Sequence, residues 1–196
     1  MKRIIDLLVS LLVLVVLAPF VLIIALAVVM DSGFPVFFIQ QRVGVGGRPF
    51  NIIKFRTMTV LREARHGTFD AGDSSRVTRV GQWLRRSKLD ELPQIFNVLI
   101  GDMSFVGPRP EIRKWVEVYP ERWAKVLSVR PGITDNASIE FRNEEEILKA
   151  SANPQETYRD EILPQKLNLY EHYVDSQSLL GDFKIVFKTF YTVICK

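Results

Sequence analysis

The stretch LLVSLLVLVVLAPFVLIIALAVVM, residues 7–30, contains no charged residue and constrains the architecture more than any other part of the chain. At about 1.5 Å of rise per residue, a helix of this length can cross a hydrocarbon core about 30 Å thick. A cleaved secretory signal is the alternative, with Lys2 and Arg3 as its basic start and Ala25-Leu26-Ala27 as its cleavage site. The apolar run is longer than the ~7–15 residues usual for a signal and continues past that site, which favours a membrane helix.

Pro19 lies near the middle of this run and is expected to kink the helix, because its ring removes one helical hydrogen bond and clashes with the preceding turn. A kinked spanning helix is one interpretation, since proline is tolerated in membrane helices. A re-entrant helix is the other, because Lys2 and Arg3 precede the run and residues 32–62 carry five cations and no acid. Positive charge marks the cytoplasmic side, and here both flanks are basic. The residues alone leave both interpretations open.

The composition of the 196-residue chain excludes two extreme classes of protein. Hydrophobic residues make up 47% and charged residues 24%, which suits neither a disordered chain nor a polytopic membrane protein. The net charge of +4 suits a nucleic acid, an anionic lipid or a phosphorylated substrate, without choosing among them. The sequence has no obvious recognition helix or ladder of stacking aromatic residues, so we expect no nucleic-acid partner.

Residues 32–196 are predicted to form one small α+β domain in which helices dominate. Short strands are predicted at Val36–Ile39 and Phe50–Ile53, separated by glycines. Four helices are predicted, over residues 77–100, 111–127, 143–150 and 154–172. Residues 62–76 are polar and are predicted to form a loop. Leu179–Ile194 is apolar with interspersed lysines, which suits either an amphipathic helix on a membrane surface or a terminal helix packed in the core.

Asp90 and Glu91 are adjacent carboxylates that could carry chemistry or could simply lie on a solvated helix face. Pro93 is comfortable only in the first turn of a helix, so we expect a helix to begin near Asp90. Capping of that helix would explain an aspartate there. Three cations stand immediately upstream, at Arg85, Arg86 and Lys88. They should keep Asp90 ionised, as a carboxylate nucleophile or a Mg²⁺ ligand needs.

Two further segments contain cations that could bind phosphate. In GDMSFVGPRP, residues 101–110, two prolines flank Arg109 and fix its direction, although an ordinary arginine in a rigid turn is the simpler local interpretation. In KFRTM, residues 54–58, a strand would place Lys54 and Arg56 on one face, where they could bind an anion or blunt a sheet edge. Neither a P-loop nor a G-x-G-x-x-G element is present. Phosphates would therefore be handled by Arg, Lys, a helix N-terminus and Mg²⁺.

Taken together, these motifs resemble the small monotopic phosphoglycosyl transferases, also called the bacterial sugar transferase family. The resemblance covers nearly the whole chain and rests on an ordered series of segments: KFRTM at 54–58, LDELPQ at 89–94, GDMSFVGPRP at 101–110 and RPGIT at 130–134. It implies a helix-dominated α+β monotopic membrane protein on the cytoplasmic face of a bacterial inner membrane. Residues 1–31 would be a re-entrant membrane helix broken at Ala18-Pro19, and residues 32–196 a cytosolic, membrane-associated catalytic domain with interfacial amphipathic helices.

The resemblance also implies a reaction and its partners. A sugar 1-phosphate would pass from a UDP-sugar to polyprenyl (undecaprenyl) phosphate, releasing UMP, as the first membrane step of O-antigen, capsule, exopolysaccharide or glycoprotein assembly. Membrane phospholipids would surround the enzyme, and a homodimer is left open. A membrane-tethered basic module that binds lipid, or acts as a scaffold without catalysis, is the alternative; it would not need Asp90 or Mg²⁺.

Site residues follow from the resemblance position by position. The catalytic dyad and Mg²⁺ site fall on Asp90 and Glu91, with Asp90 as the expected nucleophile and Glu91 either orienting groups around the metal or handling a proton. The resemblance places the phosphate-binding cations at Lys54, Arg85 and Arg109, and Arg56 and Arg142 are expected to join them. Direct attack by the lipid phosphate, with Asp90 only holding the metal, is the alternative mechanism. After Thr134 the chain reads DNASIEFRN, residues 135–143, where many members read GWAQVNGRN, so this segment departs from the common pattern.

Overall fold

A computed structural model describes residues 1–59 and 76–195 of the chain. Its helices are α1 Lys2–Ser32, α2 Arg79–Ser87, α3 Gln94–Ile100, α4 Arg113–Val116, α5 Pro120–Val126, α6 Asn136–Glu140, α7 Glu144–Ala150, α8 Pro154–Thr157, α9 Leu163–Ser176 and α10 Leu179–Cys195. Its strands are β1 Phe37–Val43, β2 Pro49–Phe55, β3 Ser104–Val106 and β4 Gly132–Thr134. The helix-dominated α+β class predicted from the sequence is confirmed. The loop predicted at 62–76 falls outside the described residues except for its last position.

Helix α1 has 31 residues, contains Pro19 and exposes most of its apolar side chains. Among the described residues it is the one helix long and apolar enough to cross a membrane. Its first turn is held by the rest of the domain, because the Lys2 ammonium donates to Asp182 at 2.6 Å and to the Val106 carbonyl at 2.8 Å. Asp6 in the next turn is buried and accepts a hydrogen bond from the Ser104 hydroxyl at 2.8 Å.

The other end of α1 is also docked on the domain. Ile24 and Val28 are buried in a small cluster with Phe55 of β2 and Leu84 of α2. The Arg56 guanidinium donates to the carbonyls of Ser32 and Gly33 at the end of the helix. Both ends of one long apolar helix are therefore fixed to the same domain, whereas Leu11, Leu12, Val15 and Val16 between them are exposed.

Two small sheets organise the rest. Strands β1 and β2 form an antiparallel hairpin in the register Phe37↔Phe55 to Val43↔Pro49, so both predicted strands are found and are longer than predicted. Strands β3 and β4 are parallel. The largest buried cluster gathers aromatic and aliphatic side chains of α4, α5, α6 and α9, among them Trp115, Trp123 and Leu167.

The predicted helix over 111–127 is divided in two, because Pro120 cannot continue α4 and instead occupies the first turn of α5. The predicted helix over 154–172 is present as α8, a π-helical turn and α9. Helix α10 packs on the domain along one face, as one of the two interpretations predicted, and exposes apolar side chains on the other. Asp182 and Ile185 are buried against the domain, whereas Leu180, Phe183, Phe187 and Phe190 are exposed.

Candidate active site

Asp90 lies in a short 3₁₀ turn between α2 and α3 rather than in one long helix over 77–100. Helix α2 ends at Ser87 because Lys88 adopts a left-handed conformation with φ 58°, and the 3₁₀ turn Leu89–Glu91 follows. Pro93 then precedes the first residue of α3, Gln94, so the helix that was expected to begin near Asp90 begins four residues after it. The Asp90 side chain caps neither element. It is buried, and within the described residues its Oδ1 atom has no hydrogen-bond partner.

Glu91 is the centre of a tight ion cluster. The Lys54 ammonium at the end of β2 lies 2.7 Å from Glu91 Oε1. The Arg109 guanidinium, in the turn after β3, donates to both carboxylate oxygens, with Nη1 3.2 Å from Oε2 and Nη2 closer still to Oε1. Three segments far apart in sequence therefore meet at the dyad: the end of β2, the 3₁₀ turn and the GPRP turn. The structure brings Lys54, Asp90, Glu91 and Arg109 together.

The two carboxyl groups of the dyad have opposite electrostatic environments. Burial raises the pKa of Asp90 above its ordinary value, and the charge of Glu91 adds to the rise, whereas Lys54, Lys88 and Arg109 oppose it. Burial would also raise the pKa of Glu91, but the charges and hydrogen bonds of Arg109 and Lys54 hold it well below its usual range. Of the three upstream cations expected to keep Asp90 ionised, Lys88 opposes the rise in the pKa of Asp90. Lys54 and Arg109, from other elements, act in the same direction.

The cations of the cluster are perturbed as well. Burial lowers the pKa of Lys54, although the nearby carboxylates of Glu91 and Asp90 oppose the shift. The charge of Glu91 raises the pKa of Arg109 well above its ordinary value. The charge of Glu91 is thus paired with Lys54 and Arg109, while the buried Oδ1 atom of Asp90 beside it has no hydrogen-bond partner in the described part of the chain.

Asn97, which the sequence did not single out, connects α3 to the strand that carries Lys54. The completely buried Asn97 side chain accepts a hydrogen bond from the Ile53 amide at 3.1 Å and donates to the Asn51 carbonyl at 2.7 Å. It therefore joins α3 to the free edge of β2 at Ile53, the residue before Lys54. An asparagine at helical spacing among apolar residues, in the segment QIFNVLI, is the sequence signal that could have indicated it.

Three of the cations expected to bind phosphate have other partners here. Arg85 donates to the Thr57 hydroxyl at 3.0 Å and to Glu145 at 2.9 Å. Arg56 is buried and binds the end of α1, and Arg142 donates to the Thr192 carbonyl of α10. None of these three contacts the dyad carboxylates. The two residues of the expected membrane break, Ala18 and Pro19, are exposed in the middle of α1.

The donor set around Asp90 is compatible with Mg²⁺. Among the described residues no group of three or more His, Cys, Asp or Glu side chains could hold a metal by itself. Mg²⁺ commonly keeps several water ligands and binds through one or two carboxylates together with substrate phosphates, so a full protein cage is not required. Within the described residues the Asp90 Oδ1 atom has no hydrogen-bond partner and could therefore bind Mg²⁺. Both oxygens of Glu91 already accept hydrogen bonds from Lys54 and Arg109.

A small α+β domain, attached to a long apolar helix and carrying a buried carboxylate pair flanked by cations, suits an enzyme that binds anionic substrates. Comparison with known families makes the class specific. The sequence model of the bacterial sugar transferase family matches the whole chain, residues 1–196. The chain belongs to the bacterial sugar transferase family, which confirms the resemblance indicated by its motifs.

Individual relatives agree with this assignment. A UDP-glucose:undecaprenyl-phosphate glucose-1-phosphate transferase of Caulobacter vibrioides is 37% identical over 191 residues, covering 96% of this chain and 67% of that protein. The exopolysaccharide production protein ExoY of Sinorhizobium fredii is 35% identical over 203 residues, covering 96% and 83%. An undecaprenyl-phosphate glucose phosphotransferase of Komagataeibacter xylinus is 38% identical over 195 residues. The chain covers only 35% of the length of that last relative.

Proposed function

We propose that this chain transfers a sugar 1-phosphate from a UDP-sugar to polyprenyl (undecaprenyl) phosphate, releasing UMP and leaving a polyprenyl diphosphate sugar. The observation that carries the proposal is the contrast within the dyad: Glu91 is neutralised by Lys54 and Arg109, and Asp90 keeps a buried, unengaged carboxylate oxygen. The names of the relatives support the substrate class, since two of the three act on undecaprenyl phosphate by name. The product would be a starting point for exopolysaccharide or another surface glycan.

Asp90 is the nucleophile in this proposal. An Asp90 carboxylate oxygen forms a bond to the sugar-linked phosphorus of the UDP-sugar, the bond from that phosphorus to the bridging oxygen breaks, and UMP leaves with that oxygen. A phosphate oxygen of the polyprenyl phosphate then attacks the same phosphorus, and the bond to Asp90 breaks to regenerate the carboxylate. Two displacements at one phosphorus let the two substrates use a single small site in turn.

The neighbouring residues prepare the site for dianionic substrates. Lys54 and Arg109 lie where they can stabilise charge that develops on the phosphate oxygens, and Glu91 holds both cations in place while its own charge is compensated. When bound, Mg²⁺ supplies a charge that offsets the repulsion between the Asp90 carboxylate and the diphosphate. Glu91 is in this proposal the organiser of the cations rather than a direct ligand, because its oxygens are already engaged.

The arrangement of α1 supports a re-entrant membrane helix. A straight helix of 31 residues would be about 45 Å long, and one that spanned a bilayer would place its two ends on opposite sides. Lys2 and Asp6 at one end, and Val28 at the other, instead contact the same domain. A helix that bends at Pro19, with its exposed middle in the lipid and both ends at the cytoplasmic face of the inner membrane, accounts for these contacts.

Helix α10 supports a peripheral contact with the same membrane. Its exposed apolar residues follow helical spacing, at Leu180, Phe183, Phe187 and Phe190, and the exposed Lys184 and Lys188 adjoin them. Phenylalanines beside lysines on one helix face suit the boundary between acyl chains and anionic headgroups. The opposite face is already packed on the domain through Asp182 and Ile185, so the phenylalanine face is available to lipid.

A UMP-release assay over a panel of UDP-sugars, with and without polyprenyl phosphate, tests the proposal. Turnover should require both substrates and Mg²⁺, and without the lipid a single stoichiometric release of UMP should accompany a phosphosugar adduct on Asp90 detectable by mass spectrometry. Asp90→Asn should lower turnover by about a thousandfold or more, while Asp160→Asn on the surface should not change it. Absence of UMP release from every UDP-sugar would exclude this function, and normal turnover of Asp90→Asn would exclude the covalent route.

A further inference from the structure

Two parallel strands bring Asp135 beside the turn that carries Arg109. Strands β3 and β4 approach so tightly that a Cβ atom on Gly132 would lie 2.1 Å from the Gly107 amide nitrogen. The Gly107 amide also donates to the Thr134 carbonyl at 3.1 Å, so the two strand ends are tied together. Arg109 follows β3 by three residues, and Asp135 follows β4 directly. Because the carboxyl ends of parallel strands meet at one edge, Asp135 lies beside the turn that carries Arg109.

Asp135 is a buried acid with only 2% of its surface exposed. It accepts hydrogen bonds from the Ser138 amide at 2.9 Å and from the Ser138 hydroxyl at 2.5 Å. The bond from the amide caps α6. Burial raises the pKa of Asp135, while the Ser138 bonds and then the charge of Arg109 oppose that rise. In the other direction, the charge of Asp135 adds to that of Glu91 in raising the pKa of Arg109.

We propose that Asp135 is a positioning residue for Arg109: its buried charge, beside the turn that carries Arg109, acts with the direct contact from Glu91 to hold the guanidinium for the substrate phosphate. Capping of a five-residue helix does not by itself explain a buried charge, since asparagine and serine cap about as well and avoid the cost of burying a carboxylate. Glu91 binds the guanidinium directly, whereas Asp135 is bonded to Ser138 and acts on Arg109 through its charge, without an ion pair between the two in the described part of the chain. The role in substrate binding rests on the proposed transferase function.

A thermal-unfolding cycle tests the coupling without reference to activity. The detergent-solubilised chain, Asp135→Asn, Arg109→Gln and the double variant are compared, with Glu140→Gln on the exposed face of α6 as the matched control. Because asparagine can still cap α6, the decrease in Tm of Asp135→Asn measures the effect of removing the charge. The decrease in Tm of the double variant should be smaller, by about 2–4 °C, than the sum of the decreases of the two single variants. Additive losses would overturn the proposal.

Kinetics then test the consequence for the site. Well below the unfolding temperature, Asp135→Asn and Asp135→Ser should each lower kcat/KM for the UDP-sugar about tenfold, whereas Glu140→Gln should not change it. Because Asp135 acts through Arg109, Asp135→Asn should add no further loss in an Arg109→Gln background. Wild-type kcat/KM in Asp135→Asn, or an undiminished extra loss in the double variant, would overturn the proposal. If the wild-type chain releases no UMP from any UDP-sugar, the transferase function fails, and the unfolding cycle alone decides the coupling.

Discussion

At the scale of single residues, Asp90 and Glu91 differ because a 3₁₀ turn separates neighbouring side chains by about 120° around its axis. Glu91 is therefore directed at Lys54 and Arg109, and Asp90 is not. Burial and the charge of Glu91 raise the pKa of Asp90, whereas the cations lower that of Glu91. Two adjacent carboxyl groups whose pKa values are moved in opposite directions suit two different roles in one reaction.

Glu91→Gln should destabilise the protein by about 3 kcal/mol, because it leaves the two largely buried cations, Lys54 and Arg109, without their counter-charge. Glu145→Gln is the matched control, since it removes the same charge from the more exposed pair with Arg85 and should cost less than about 1 kcal/mol. Chemical unfolding of both variants in detergent gives the comparison. Equal losses in the two variants would contradict the central place of Glu91.

The cost of Glu91→Gln should also depend on pH. The pKa of Glu91 is depressed in the folded state, so its stabilising contribution is present above the unfolded value of about 4.3 and is lost as pH falls through the folded value. The difference in unfolding free energy between wild type and Glu91→Gln should therefore be constant near neutral pH and shrink below about pH 4. Unfolding free energies measured across the acid range test this, and a difference that grows toward low pH would show that the sign is wrong.

At the scale of elements, the sequence predicted where a helix would be interrupted better than it predicted the form of the interruption. Pro93 correctly indicated a helix boundary near the dyad. The left-handed Lys88 and the 3₁₀ turn were not predictable, because no glycine or asparagine marks the end of α2 and the conformation depends on contacts made after folding. Pro120 divides the helix predicted over 111–127, and its effect could have been anticipated from the same rule.

Asn97 connects two elements, and its replacement should affect both stability and activity. Asn97→Ala leaves the Ile53 amide and the Asn51 carbonyl without partners at the edge of β2, which should cost about 2 kcal/mol. Because this edge positions Lys54, kcat/KM for the UDP-sugar should also fall about tenfold. Asn168→Ala, at an exposed position of α9, should change neither by much. A loss of stability with unchanged kcat/KM would show that α3 does not position Lys54.

At the scale of the whole molecule, the family motifs identified residues that the local sequence could not relate to one another. Lys54, Glu91 and Arg109 are far apart in the chain, and their meeting depends on the packing of β2, α3 and the turn after β3. Arg56 and Arg142 are also cations, but each donates to backbone carbonyls of a helix. The residue type alone therefore did not distinguish a cation of the candidate site from one that binds a helix. In the sequence, Asp135 was noticeable only because the segment after Thr134 departs from the common family pattern. The parallel pairing of β3 and β4 places it beside the turn that carries Arg109.

The re-entrant arrangement of α1 predicts which side of the membrane each end occupies. Single cysteines at Ile4 and Asp31, introduced with Cys195→Ser, lie near the two docked ends of the helix. Both should resist a membrane-impermeant maleimide in intact bacterial cells and react after permeabilisation, as should Glu140→Cys on the catalytic domain. Reaction at position 4 alone in intact cells would show that α1 spans the membrane. That outcome would also require the contacts of Lys2 with Asp182 and of Asp6 with Ser104 to be absent in the membrane, because a domain on one side of the bilayer cannot bind both ends of a spanning helix.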